Sequence, residues 1–218
     1  MKLYFIPTTR AVRPRWLLEE MGISYELVNV SMEMSRSVEY QRLHPHGKVP
    51  LLIDDEVTIF ESAAICSYLA DKYIEKGFAP PFNSASRGYY YQWLFYAGLT
   101  LEPPVEQYMF NVLPGLPEKV LPSEACTRVD REVALEWFMK VCEPLNEHLK
   151  TKDYLVDNRF TVADIITGGV LLWAVKLKML KVDSPIKDYV YRLMERPALK
   201  RADEAAHGIG YAPPTVLP

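Results

Sequence analysis

The chain has 218 residues, 49% of them hydrophobic and 24% charged, with a formal net charge of −3. Such a composition describes one large or two small globular domains and excludes a disordered chain. The slight acidity offers no general attraction to nucleic acid, and the longest unbroken apolar stretch, residues 168–175, is far short of the ~20 needed to cross a bilayer.

Leu3-Tyr-Phe-Ile6 is a compact apolar run stopped by Pro7, which suits a buried strand. It is too short for the apolar core of about 7–15 residues in a secretory signal, so a cytoplasmic protein is expected. A helix is predicted from about Ala11 to Met21, with Leu17, Leu18 and Met21 on one face and Gly22 as its stop. Tyr25–Val30 reads as a second strand, followed by a weaker helical stretch around Ser35–Leu43. Val49–Ile53 and Val57–Phe60 read as two strands joined by the acidic turn Asp54-Asp55-Glu56. Ser62 then opens a helix with Ile65, Leu69 and Tyr73 on one face, ended by Gly77. The order β-α-β-α-β-β-α combines a parallel crossover with an antiparallel hairpin, so a small mixed sheet covered by helices is expected.

Ala79-Pro-Pro-Phe-Asn-Ser84 is a linker by composition, and only helices are predicted beyond it. The first runs from Arg87 to about Asn111 and carries the aromatic run Tyr89–Tyr96; the Pro-rich Leu113–Pro117 follows as a connection. The second, Glu124 to about Lys150, is amphipathic, with Val133, Trp137, Val141 and Leu145 spaced by four. The third, Val162 to about Leu180, is apolar nearly all round and is expected at the centre of a bundle. Two shorter helices, about Ile186–Met194 and Ala198–Ala206, precede an extended tail, His207–Pro218. Cys66, Cys126 and Cys142 form no CxxC pair, which points to reduced thiols rather than disulfides or zinc.

Three short motifs carry the chemistry. In Gly47-Lys48-Val49-Pro50 a proline enters a strand, where it cannot donate to a central ladder. Either the Val49–Pro50 bond is cis, leaving the N–H and C=O of Val49 free for an extended peptide, or an edge strand simply begins with proline. Glu61-Ser62 stands at a helix N-terminus, where unpaired N–H groups and the dipole favour an anion while Glu61 offers a carboxylate to an ammonium. One locus could thus hold the two charged ends of an amino acid, or be a plain N-cap with an acidic neighbour. Thr8-Thr9-Arg10 precedes the first helix, where a hydroxyl can hydrogen-bond a sulfur anion or merely cap. His44 and His46 flank Pro45, and a loop role fits them better than a metal pair. Thr161 and Asp164 have capping-box spacing and a structural part to play.

Taken together and in order, these motifs resemble the cytosolic glutathione S-transferase family, of bacterial type with a Ser/Thr-like active site. The likeness rests on Thr8-Thr9-Arg10, Leu43-His-Pro-His-Gly-Lys-Val-Pro50, Glu61-Ser62-Ala-Ala-Ile65, Phe160-Thr-Val-Ala-Asp164-Ile and Arg196-Pro-Ala-Leu-Lys-Arg-Ala202, and covers nearly the whole chain. It implies an α/β thioredoxin-like N-terminal domain over residues 1–78, an all-α helical-bundle C-terminal domain over 86–206, and a homodimer. It implies glutathione as co-substrate and a small hydrophobic electrophile as partner, with no metal, no nucleic acid and no membrane. Val49, beside Pro50, would pair main chain to main chain with the cysteine of glutathione; Glu61 and Ser62 would hold its γ-glutamyl end and Lys48 its glycine carboxylate. Thr8 or Thr9 would stabilise the thiolate, with Tyr4 as a third candidate. His44 stands where asparagine is more familiar. The activity implied is a glutathione transferase; alternatives are a non-catalytic interaction protein of the same fold, like the stringent starvation proteins, and a glutathione-dependent dehalogenase or ether-cleaving enzyme.

Overall fold

The computed structural model describes residues 1–112, 129–180 and 183–203. The Leu113–Pro117 connection, Cys126, the expected start of a helix at Glu124, and the tail from His207 lie outside the described residues. The chain forms two compact units: residues 1–87 with the described residues from Arg192 onward, and Gly88–Tyr191.

In the first unit the order is β1 (Lys2–Phe5), α1 (Val12–Met21), β2 (Glu26–Asn29), α2 (Met32–Arg36), α3 (Val38–Leu43), β3 (Leu51–Asp54), β4 (Val57–Phe60) and α4 (Ser62–Lys72). The helical crossover makes β1 and β2 parallel, whereas the two-residue turn Asp55-Glu56 makes β3 and β4 antiparallel, giving a mixed sheet of order β2-β1-β3-β4. Leu3, Phe5, Leu51 and Leu52 are fully buried in the sheet, and Trp16, Leu17 and Leu18 of α1 and Ile65 and Leu69 of α4 are buried with them. Gly22 ends α1 in the left-handed conformation (φ 66°), as its position after the last apolar residue predicts. The single weak helix expected at Ser35–Leu43 is two short helices. Ser31 and Ser37 are both extended and accept the N–H groups of Met34 and Tyr40, so the second serine caps a new helix rather than continuing the first.

α10 (Pro197–Asp203) completes this unit by packing on α1. Arg196 Nε and Nη2 donate to the two carboxylate oxygens of Glu20 (2.5 and 2.9 Å), Arg201 Nε donates to Glu19 (2.7 Å), and Arg15 Nη1 donates to Ala202 O (3.0 Å). The forked guanidinium–carboxylate pairing fixes orientation as well as contact.

The second unit is helical: α5 (Ser86–Tyr96), α6 (Glu102–Val112), α7 (Arg131–Leu149), α8 (Val162–Lys176) and α9 (Pro185–Met194). The long helix expected from Arg87 to Asn111 is interrupted by one π turn, Ala97–Leu101, with Glu102 N–H bonded to Ala97 O. Pro103 and Pro104 follow it and lack the N–H groups that would donate to carbonyls in the turn before, which accounts for the widened spacing. In α7 the expected stripe is only partly buried, since Val133 and Trp137 are exposed. Leu145 of that stripe is buried, but it shares the core face with Ala134, Phe138, Cys142 and Leu149 rather than with Val133 and Trp137. Both stripes are apolar, so spacing alone did not choose between them. α8 is buried nearly all round, as expected. Its capping box is formed: Thr161 accepts the Ala163 N–H, and Asp164 accepts the N–H groups of Thr161 (2.8 Å) and Leu155 (3.0 Å) and the Tyr189 hydroxyl (2.9 Å). Burial pushes the Asp164 carboxyl up to about 6 against the pull of these donors. Among the described residues, no helix is long and apolar enough to cross a membrane.

Candidate active site

The three motifs meet at one end of the sheet. Tyr4 pairs with Leu51 and Leu51 with Phe60, so the chain leaves β1, enters β3 and leaves β4 at the same edge. The segments gathered there are Thr8-Thr9-Arg10, Gly47–Pro50 and Glu61-Ser62.

The two threonines are not equivalent. Thr9 donates its hydroxyl to Ile6 O (2.7 Å) and accepts the Ala11 N–H (3.2 Å), so its one proton is committed to the turn that starts α1. Thr8 is exposed, makes no hydrogen bond among the described residues, and is held at φ 63°. A β-branched residue in the left-handed region is an outlier that costs on the order of 1–3 kcal/mol and persists only where surrounding structure enforces it. Tyr4, by contrast, packs with Val30, Tyr40 and Leu51, its ring 5.6 Å from that of Tyr40.

The Val49–Pro50 bond is cis, which decides between the two readings of that motif. Val49 lies half-buried beside buried Pro50, and no hydrogen bond among the described residues engages its N–H or C=O. Two contacts fix the approach to it. Gly47 (φ 57°) packs so close to α2 that a Cβ there would lie 2.3 Å from Ser35 O, and Tyr40 donates its hydroxyl to Lys48 O (2.7 Å). Burial raises the Tyr40 hydroxyl well above its ordinary pKa, so it remains a donor. The Lys48 side chain is exposed.

Glu61 occupies the cap position of α4 at φ 72°, exposed and with no side-chain cap, so Ser62 is the first helical residue and not the cap. The Ser62 and Ala63 N–H groups precede the first intrahelical bond, from Ile65 N–H to Glu61 O, and mark an anion site. Ser62 is buried, and Arg13 Nη1 donates to its hydroxyl (3.3 Å), tying the start of α1 to the start of α4. His44 is buried, its ring 4.7 Å from that of Phe60, and its Nδ1 accepts the His46 N–H (3.3 Å). Burial, aided by the His46 charge, lowers its pKa below the ordinary value of 6.5. Among the described residues, no group of three or more His, Cys, Asp or Glu could hold a metal ion.

Sequence reasoning missed Arg13 and Tyr40. A buried arginine in a first turn leaves no periodic signal, whereas Tyr40 is one apolar position in a helix too short to show a period.

This is a thioredoxin-like sheet domain joined to a helical one, the glutathione S-transferase architecture. The family descriptions "Glutathione S-transferase, N-terminal domain" and "Glutathione S-transferase, C-terminal domain" match residues 1–71 and 122–197. Glutathione S-transferase GstA of Escherichia coli O157:H7 is 31% identical over 207 residues, covering 93% of this chain and 96% of its own. A glutathione transferase from Methylococcus capsulatus superposes with a TM-score of 0.76 at 26% identity, over 93% of this chain and 96% of its own. The URE2P8 glutathione transferase of Phanerochaete chrysosporium, solved with oxidized glutathione, gives 0.76 at 25% identity over 92% of each chain. The chain belongs to the glutathione S-transferase family.

Proposed function

We propose that this chain is a glutathione transferase that activates the thiol of glutathione for attack on a small hydrophobic electrophile. One observation carries the reading: free main chain at Val49, the open N-terminus of α4 beside Glu61, and an uncommitted hydroxyl at Thr8 converge on one sheet edge. In this reading Val49 pairs with the cysteine main chain, Glu61 takes the γ-glutamyl ammonium, and Ser62 with the first N–H groups of α4 takes the adjacent carboxylate. Lys48 reaches the glycine carboxylate, and Pro50 holds the turn. Thr8 donates to the sulfur, and Thr9 acts behind it by fixing the turn.

A free thiol has a pKa near 8.5, and such a site lowers it toward about 7 or below. The thiol proton leaves to solvent. A sulfur lone pair then forms the C–S bond as the leaving group departs with its bonding electrons. Holding both reactants in place supplies the remaining advantage.

A homodimer and a cytoplasmic setting belong to the same proposal. Tyr91, Phe95 and Leu99 form an exposed apolar stripe at spacings of four, suited to a second copy, and Cys66 and Cys142 are buried free thiols. Disposal of reactive apolar compounds is the role that fits. Calorimetric titration with glutathione, followed by conjugation of an activated aryl halide, tests the reading. Saturable binding with turnover supports it, whereas binding without turnover across a panel of electrophiles, alkyl halides and aryl ethers included, points to the interaction-protein alternative. Sedimentation of wild type and Phe95→Glu tests the dimer.

A further inference from the structure

Arg13 stands where a helix tolerates a cation least. It lies in the first turn of α1, which holds no acidic residue, and the helix dipole there favours negative charge. Nor does solvent screen it, since Arg13 is only 3% exposed. A local rule broken in the interior calls for a compensating gain elsewhere.

That gain lies at the start of α4. Arg13 Nη1 donates to the Ser62 hydroxyl across 3.3 Å. A serine hydroxyl has one proton and two lone pairs, whereas a guanidinium offers donors only. Ser62 Oγ therefore accepts from Arg13, and its own proton has no acceptor among the described residues. The Ser62 and Ala63 N–H groups beside it precede the first intrahelical bond of α4. Arg13 makes further contacts within the protein, so its guanidinium is held in place. Its charge also reaches Cys66, one turn beyond Ser62, where it pulls the thiol down against the burial that raises it.

We propose that Arg13 is a positioning residue for the anionic end of glutathione: by occupying a lone pair of Ser62, it holds the Ser62 hydroxyl as a donor to the γ-glutamyl α-carboxylate. This rests on the reading of the α4 N-terminus as the seat of that carboxylate. An oxygen within hydrogen-bond reach of Ser62 Oγ lies no more than roughly 6 Å from Arg13 Nη1, close enough for the charge to favour a carboxylate over a neutral group. Glu61 takes the ammonium, so one turn tells the two charges of the γ-glutamyl group apart.

The test compares glutathione with an analogue in which the γ-glutamyl α-carboxylate alone is replaced by a carboxamide, by calorimetric titration of the full chain. Wild type is expected to prefer glutathione by about tenfold or more. Arg13→Met should weaken glutathione about tenfold and the carboxamide less than about threefold, because a hydrogen bond to a charged acceptor is the stronger one. Ser62→Ala should do the same, and the double variant should lose little beyond either single change, since the two residues act in one chain. In turnover the KM for glutathione should rise about tenfold while kcat at saturation stays within about threefold, as the sulfur end is undisturbed. Melting shows whether each variant folds. Arg13→Gln, polar but too short to reach Ser62, replaces Arg13→Met if that variant does not melt cooperatively, and the same losses are expected of it.

The assignment is overturned if a folded Arg13 variant binds glutathione as wild type does, or if its loss adds in full to that of Ser62→Ala. It is overturned too if that variant weakens both ligands by the same factor, as a merely structural role would. Ser62→Ala keeping the wild-type preference overturns it without any change at Arg13. Failure of wild type to bind glutathione refutes the functional reading and this inference with it, whereas binding with an unshifted preference in the Arg13 variants refutes the inference alone.

Discussion

Replacing Gly47 by alanine probes the link between the fold and the proposed glutathione site. At φ 57° an L side chain costs about 1–2 kcal/mol from conformation alone. The added Cβ would lie 2.3 Å from Ser35 O and must retreat by roughly 0.7 Å to reach the 3.0 Å that real contacts respect. Backbone lies on both sides of that clash, so the segment shifts and strains the Tyr40 hydroxyl bond to Lys48 O, worth about 1 kcal/mol. The sum is about 2–4 kcal/mol, or roughly 5–15 °C in Tm at this chain length. Gly22→Ala is the control, because Gly22 shares the left-handed conformation (φ 66°) but a Cβ there meets nothing within 4 Å. It should lose only about 1 kcal/mol. Calorimetric melting and glutathione titration of both variants decide the matter. Gly47→Ala should also weaken glutathione about tenfold or more by moving Val49, and Gly22→Ala should not. Equal losses in the two variants, in melting or in affinity, would refute the packing argument.

Other expectations concern chemistry and pH. Thr8→Val should lower kcat/KM for conjugation by about 10–100-fold while glutathione affinity stays within a few-fold, as befits one hydrogen bond to an anion. Thr8→Gly should lose the same activity yet melt no lower than wild type, because it relieves the φ 63° strain; a clear drop in Tm would show that the strain is not real. His44 has its pKa lowered by burial, so the unfolded chain binds more protons below pH 6.5. Its contribution is complete above that pH and is lost as the pH falls, and His44→Asn should flatten the acid limb of a urea-denaturation profile below pH 6.5. Asp164 has the opposite sign: its carboxyl is raised from 3.8 to about 6, so the stability it lends is greatest below the lower value and is lost as the pH rises through the upper. Asp164→Ala should remove that decline and, by stranding the buried N–H groups of Thr161 and Leu155, cost about 3–5 kcal/mol in the same assay.

The parts legible in the sequence were those with a strong local cause. Gly22 and Ser62 marked helix ends, Pro50 marked an odd strand entry, and the unbroken apolar run of α8 marked burial on all sides. The α7 stripe was misread because neighbouring faces at Val133 and Ala134 carry equally apolar series, and only the tertiary partner selects one. The break between α2 and α3 turns on the extended backbone of Ser37, which composition does not encode. Thr8 and Thr9 look alike in a sequence; their difference rests on which hydroxyl reaches Ile6 O, a fact of turn geometry.

The clasp between Glu20 and Arg196 joins residues 176 positions apart. A nascent chain that has exposed its whole sheet and α1 to α4 still lacks the helix that neutralises Glu19 and Glu20 and covers that side of α1. The sheet unit is made before the helical unit yet is finished only after it, and waits through that synthesis with one flank of α1 bare. Truncation just before Arg196 would leave both acids without these guanidinium partners, and the damage would surface 176 positions away from the cut.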